Sequence, residues 1–357
     1  MKKLLLLSSI ATVFVACEPE EETSQTETQT TTHAYSSIVI DATSQTEFAY
    51  VDFDTSREVT DADDWDIMVK RTAISGSDSA QIALANTPES FYDADGAAIA
   101  SSFVSADAEQ EAMALATAYD LSTLSFLKDE MSYAIDSSWY IYNPVTHAIT
   151  ANPESWYVVA NSAFNEFAKI HATQYDAETS TYTFEVFSQL NDDTQFSTTP
   201  STFEVSFAGD VCFNLSEAAT VDCATQNYDI RSIVDGYSIN ISVSGSAYYQ
   251  VIDQATANAL TMASDLIDDA ELTEAQKMAS LGYSFFADAL KGAVSENSWY
   301  AYGVAGGHEL WPNFRTYVID TDASDEASTN YAFQVANYYD EIDGTSAVIT
   351  INFQEIK

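Results

Sequence analysis

The side chains able to ligate a metal or attack an electrophile are few: four histidines, three cysteines and six methionines in 357 residues. His33 stands in a polar stretch and His171 in an alternating apolar run, whereas His147 and His308 each follow a Trp-Tyr-x-Tyr segment by a few residues. A neutral imidazole can offer one ring nitrogen to a metal while the other anchors the ring. No Gly-x-Ser-x-Gly elbow, phosphate-cradling loop or His-Glu-x-x-His pair is present, so nucleophilic or metal-hydrolytic catalysis has little to work with. Two of the 55 acids could serve a glycosidase, but no spacing marks which two. These residues describe a binding protein, not an enzyme.

The cysteines divide by context. Met1-Lys2-Lys3 precedes an apolar stretch from Leu4 to Val15, then Ala16-Cys17 and the acidic Glu18-Pro19-Glu20-Glu21-Glu22. The apolar core is shorter than the roughly 20 residues needed to span a bilayer, and a small residue before a cysteine suits a lipoprotein signal peptidase. We therefore expect residues 1–17 to be a lipoprotein signal peptide with Cys17 lipidated, and 18–34 to be an acidic, polar tether with nothing to bury. The anchor is then the lipid alone, at the outer membrane or cell surface. Cys212 and Cys223 lie close together in a chain bound for an oxidising compartment, and are expected to form a disulfide.

Twelve Lys and Arg stand against 55 Asp and Glu, a formal net charge of −43. Nucleic acid is excluded as a partner. Acidity spread this evenly serves solubility. The runs Asp61-Ala62-Asp63-Asp64 and Asp320-Thr321-Asp322-Ala323-Ser324-Asp325 have carboxylates for calcium but lack the ligand spacing and glycine of an EF-hand loop.

The elements that must position the histidines are repeated. Ser138-Trp139-Tyr140-Ile141-Tyr142 matches Ser298-Trp299-Tyr300-Ala301-Tyr302, the run Phe167 to Asp176 aligns without gaps on Tyr331 to Asp340, and Trp65-Asp66-Ile67 matches Tyr228-Asp229-Ile230. Matches in the same order at nearly one displacement indicate a tandem duplication. The first copy is expected at 35–195 and the second at 196–357, joined through Asn191-Asp192-Asp193 and Thr198-Thr199-Pro200. Each copy has β-branched and aromatic residues in strand-like runs, such as Thr181 to Val186 and Ala347 to Phe353. Between them lie helix-like stretches, Ser105 to Leu127 and Gln254 to Leu290, the second with a capping box at Thr273-Glu274-Ala275-Gln276. The expected fold is mainly β (α+β): two tandem antiparallel β domains, each with a helical insertion.

With those motifs assembled, the repeat resembles the HmuY family of haem-binding lipoproteins. The resemblance covers most of both copies. It rests on Trp65-Asp66-Ile67 followed by Lys70-Arg71, on Trp139 to Tyr142 leading to Thr146-His147-Ala148-Ile149, on Tyr157-Val158-Val159, and on Tyr175-Asp176. The second copy departs: Tyr228 replaces the tryptophan, and Gly306-Gly307-His308 replaces the Thr-His with one residue inserted.

The resemblance implies capture of haem for iron acquisition and its delivery to an outer-membrane receptor of the TonB-dependent type. Haem needs axial His or Met ligands, an apolar pocket and donors for its propionates. His147 and His308 are the expected ligands from the turn after the Trp-Tyr strand. Met113 is the candidate second ligand for the first copy, with Met262 or Met278 for the second. Lys70, Arg71, Lys169, Arg231 and Arg315 are the cations within either copy that could face propionates. His171, matched by Val335 in the other copy, is expected to be structural. The alternative is a structural or interaction module of the cell surface that keeps the fold without haem.

Overall fold

The structure, a computed structural model, describes residues 35–356 except 46, 134, 162, 245, 246 and 283. The expected signal peptide, Cys17, the tether and His33 lie outside the described residues. The alternating runs become strands in four blocks. The first block is β1 (Ser36–Asp41), β2 (Ala49–Asp52), β3 (Arg57–Val59), β4 (Ile67–Lys70), β5 (Ala73–Gly76) and β6 (Gln81–Asn86); a short β7 (Glu130–Ser132) follows. The second is β8 (Tyr140–Tyr142), β9 (Ile149–Ala151), β10 (Ser155–Asn161), β11 (Phe167–Asp176) and β12 (Thr181–Gln189). The third is β13 (Ser201–Ser206), β14 (Val211–Asn214), β15 (Ala219–Val221), β16 (Ile230–Asp235), β17 (Ser238–Val243) and β18 (Ala247–Asp253), then another short strand, β19 (Ala289–Lys291). The fourth is β20 (Tyr300–Tyr302), β21 (Leu310–Pro312), β22 (Thr316–Asp320), β23 (Asn330–Tyr339) and β24 (Ser346–Ile356). Strand for strand, β13–β24 repeat β1–β12, and the fold is mainly antiparallel β.

Pairing does not stay within a copy. One five-stranded sheet has the order β1-β24-β23-β22-β6 and the other β13-β12-β11-β10-β18. The expected division at 195/196 therefore does not separate the sheets, because β12 pairs directly with β13 across it, Thr181 opposite Ser206. The first block joins the fourth in an outer lobe, and the second joins the third in an inner lobe. Loop length gives a physical reason. Residues 190–200 bring β12 and β13 together as an antiparallel neighbour pair, which leaves one long loop to close between β1 and β24, whereas pairing each copy's first and last strands would close two long loops. Closure entropy favours the observed arrangement by about 2 kcal/mol.

Each lobe packs its five-stranded sheet on a four-stranded one. In the outer lobe Ile40, Ile319, Phe333 and Ile351 meet Val51, Ile67 and Val69; in the inner lobe Tyr157, Ile170, Phe184 and Phe203 meet Phe213, Ile230 and Ile241. Alternate residues face outward and are covered by the helical segments. The 3₁₀ turn Ala112–Ala116 places Ala112 and Leu115 on Val318 and Ala332. In the inner lobe Ala257, Leu260 and Leu281 cover Trp156, Val158 and Ala160. Coverage of both faces explains why β10 is buried from Trp156 to Ala160. The expected long helical stretches are short pieces: α1 (Ala100–Val104), α2 (Ala108–Glu111), α3 (Gln254–Ala259) and α4 (Glu274–Leu281). The capping box is present: Thr273 Oγ1 accepts from Gln276 N, and Gln276 Oε1 accepts from Thr273 N at 2.9 Å. No helix among the described residues is long and apolar enough to cross a membrane.

The chain passes between lobes at β7 and β19, which pair antiparallel with Leu290 opposite Met131. Aspartates brace this crossing. Asp129 accepts from Gly76 N at 2.7 Å, and its repeat counterpart Asp288 accepts from Ser242 Oγ at 2.6 Å and Val243 N at 3.1 Å. Gly292 follows β19 so closely under Asp129 that an added Cβ would stand 2.0 Å from its Oδ1.

A second aspartate pair shapes the four-stranded sheets. Asp66 Oδ2 accepts from Phe53 N at 2.7 Å, and Asp229 Oδ2 from Leu215 N at 2.8 Å. Their backbones bond equivalently too, Asp66 N to Val51 O and Asp229 N to Phe213 O. The Trp-Asp-Ile motif is thus a folding corner. Cys212, on β14, and Cys223 are disulfide-bonded with a Cα separation of 5.3 Å.

Two predictions follow from this architecture. A fragment spanning 129–288 contains a complete inner lobe and should unfold cooperatively in urea, whereas 35–195 divides both lobes and should show no cooperative transition. Equal cooperativity in both would contradict the cross-copy pairing. Burial pushes the Asp66 carboxyl up to about 6 and also raises Asp229 and Asp129. A raised carboxyl adds stability that is complete below its unfolded pKa and lost as pH rises through its folded one. Between pH 7.5 and 5, where carboxylates with depressed pKa stay ionised, Asp66 should stabilise the fold by roughly 1–2 kcal/mol as pH falls. Urea midpoints of Asp66→Asn should have a flatter slope over that range.

Candidate functional site

The two Trp-Tyr-x-Tyr segments begin as anchors. Trp139 and Trp299 are each 1% exposed. Trp139 meets Tyr140 edge-on at 4.8 Å and Tyr182 at 4.7 Å; Trp299 meets Tyr300 at 4.8 Å and donates Nε1–H to Thr72 O at 2.9 Å. Asn152 and Asn313 tie the return strands back, each donating from backbone N to the carbonyl of its tryptophan and from Nδ2 to Ser138 O or Ser298 O. The tryptophans are core residues. The last tyrosine of each segment points into solvent, Tyr142 49% and Tyr302 59% exposed.

From those anchors the hairpins β8–β9 and β20–β21 present the two expected histidines. In the first, Asn143 Oδ1 accepts from Val145 N at 2.9 Å, and His147 closes the turn with N–H to Asn143 O at 2.8 Å. His147 adopts φ +56°, a left-handed conformation that histidine tolerates better than β-branched residues. In the second, Gly303, Gly306 and Gly307 take the positive φ values, so the inserted residue is absorbed without forcing His308 into that region. Both turns arrive at one arrangement. His147 Nδ1 lies 2.6 Å from Tyr142 Oη, and His308 Nδ1 is hydrogen-bonded to Tyr302 Oη. The ring centroids are 6.1 and 5.9 Å apart and the ring planes cross at 46° and 43°. When Nδ1–H donates to the phenol oxygen, Nε2 carries the lone pair, and among the described residues it has no partner in either hairpin.

The exchange of halves redistributes the other candidates. Met113, 72% exposed, lies on the turn that packs against β22 and β23, in the lobe of His308. The expected first-copy pair His147 and Met113 is thus placed on different lobes. Met262 and Met278 belong to the inner lobe with His147, and Met278 packs into its core. His171 is buried and stacked on Trp156 at 3.5 Å, with Nδ1 facing Pro153 O and Nε2 facing Glu185. Burial lowers its pKa, and both ring nitrogens face protein partners, as befits a structural residue.

The cations expected near propionates have structural contacts. Lys169 Nζ donates to Ala257 O and Leu260 O, Arg231 pairs with Asp210, Arg315 donates to Ser298 O, and Lys70 sits over Phe48. Arg71 makes longer bonds, to Thr43 O and Ser346 Oγ. Among the described residues no three His, Cys, Asp or Glu side chains cluster as a metal site. The carboxylates of Asp320, Asp322 and Asp325 close local turns and loops.

One feature was not evident from sequence. A groove of about 480 Å³ runs between α1–α2 and the hairpin of His308, lined by Phe103, Leu310, Trp311, Pro312, Phe314 and Tyr339. Its volume and apolar lining are those of a small-molecule site. Its floor is a cluster in which Phe103 and Phe314 lie 4.8 and 5.7 Å from Phe91. The residues forming it come from both copies, over 200 positions apart, so no local motif could announce it.

No family model matches this chain, nor does any curated protein sequence. Among solved structures it is similar to a Bacteroides vulgatus protein provisionally described as HmuY-like and heme-binding, at 10% identity and a TM-score of 0.30, over 90% of this chain and 91% of that one. A provisionally described lipoprotein of Bacteroides fragilis is similar at 8% identity and a TM-score of 0.30, with coverage of 90% and 91%. Superpositions this loose assign no role to any side chain.

Because the tryptophans are anchors, Trp139→Ala and Trp299→Ala should each destabilise the fold by about 3–5 kcal/mol. Urea denaturation monitored by circular dichroism measures this, and a loss below about 1 kcal/mol would contradict the anchoring role.

Proposed function

We propose that this chain is a haem-binding protein, not an enzyme, held by a lipid at Cys17 on the outer membrane or cell surface, that captures haem for iron acquisition and passes it to a TonB-dependent receptor. The observation that carries the reading is the duplicated tyrosine–histidine pair. Two turns of different length and sequence both place the phenol on Nδ1 and leave Nε2 open. That is the arrangement of an axial imidazole, whose second nitrogen is held so that the ring points its lone pair at a metal.

Haem iron, when bound, supplies the Lewis-acid centre that such a nitrogen ligates. The chain's part is to orient the imidazole through Tyr142 or Tyr302 and to shield one face of the ring from water. Met113, exposed in the same lobe as His308, is the thioether that would supply a second ligand there. The strong negative charge disfavours propionates on the protein surface, so binding draws on ligation and apolar contact.

Titrating hemin into residues 18–357 tests the reading. A Soret shift at micromolar protein that is lost in the double variant His147→Ala/His308→Ala is the expected result. A wild type without a Soret shift, or one unchanged in the double variant, would overturn it and favour the haem-free interaction module.

A further inference from the structure

We propose that the outer-lobe groove binds a soluble quaternary ammonium compound, its cationic head held between aromatic rings and the Glu309 carboxylate. The proposal goes beyond the haem reading and does not depend on it.

The groove takes aromatic side chains from both copies, Phe103 from the first copy's insertion and Trp311, Phe314 and Tyr339 from the second copy, and Glu309 is its single charged residue. Rings beside one carboxylate attract a cation, because each ring face is electron-rich and the site holds little water to compete. No Lys or Arg lines the groove. The formal net charge of −43 also draws cations, not anions, towards the surface.

The hydrogen-bonding groups narrow the class of cation. Asn337 Oδ1 accepts from Tyr338 N and Tyr339 N, its Nδ2 donates to Tyr339 O, and Tyr339 Oη accepts from Leu310 N at 2.9 Å. Those acceptors are engaged, whereas the Glu309 carboxylate has no ion-pair partner among the described residues. A primary ammonium brings three N–H donors and would leave some of them unmet. A quaternary ammonium has none to satisfy.

The duplication shows that the fold does not require these residues. Ile149 pairs with Tyr142 in one hairpin as Leu310 pairs with Tyr302 in the other, and Asn152 and Asn313 make the same bonds. On that register Ala148, Thr150 and Pro153 of the first copy correspond to Glu309, Trp311 and Phe314 of the second. The carboxylate and two of the rings are thus missing where the same hairpin is built without them. Phe314 also holds φ +53°, a costly conformation for an aromatic residue, with its ring 5.7 Å from Phe91 on the groove floor. Strain of this kind clusters at ligand clamps.

The test is calorimetric titration of residues 18–357 with choline and with its uncharged isostere, in which a tert-butyl group replaces trimethylammonium. One choline per chain is expected, bound roughly tenfold tighter than the isostere. Glu309→Gln should weaken choline roughly fivefold and leave the isostere within about twofold, since only the counter-charge is lost. Trp311→Thr, which installs the first copy's residue, should weaken choline roughly tenfold. Ala106→Trp, which fills the groove from the helical side and keeps its aromatic wall, should do the same and guards against a folding defect in the other variant. Equal affinity for choline and the isostere, choline binding untouched by Ala106→Trp, or no binding at millimolar choline would overturn the proposal. Binding to phosphatidylcholine vesicles without binding to free choline would overturn the assignment to a soluble ligand.

Discussion

The rest of the structure depends on the antiparallel crossing of β7 with β19. At that ladder the chain exchanges halves, so that every five-stranded sheet contains strands from both copies. A strand whose backbone groups are buried in a sheet needs a ladder partner. In a duplicated chain each such strand has two nearly equivalent partners, its own copy's or the other's. The short connection between β12 and β13 resolves the choice, because it makes the cross-copy pairing local. The inner lobe lies between the outer blocks in sequence, so its closure shortens the loop that the pairing of β1 with β24 must close. Asp129 against Gly76, and Asp288 against Ser242 and Val243, hold the crossing on both sides.

That exchange reassigns the chemistry. A motif read along one copy suggests that its histidine and its insertion form one site. In space, the insertion of the first copy covers the sheet of the second copy's histidine, and the insertion of the second covers that of the first. The tyrosine–histidine pairs survive this because each is built inside one hairpin. Anything that needs the insertion and the hairpin together, such as a pocket wall or a second ligand, is a cross-copy construction.

The duplication also leaves the two hairpins free to differ. Both keep the buried tryptophan and the asparagine that ties the return strand back, which are demands of the core. They differ beside that asparagine, where Thr150 and Pro153 correspond to Trp311 and Phe314. The two hairpins thus diverge in the turn and the groove wall, while the buried tryptophan and the tying asparagine are common to both.

The sequence by itself determined the repeat, the β character, the disulfide and the structural nature of His171, because each is written in local periodicity or in residue type. It also singled out His147 and His308, since a histidine recurring after the same anchored strand is a local pattern. Tertiary structure alone decided which halves pair, and hence that Met113 accompanies His308 and not His147. Local propensities are the same for both pairings, and the choice rests on loop length and on contacts between residues hundreds of positions apart. The aromatic groove was hidden for the same reason: its walls are ordinary apolar residues until the exchange brings them together.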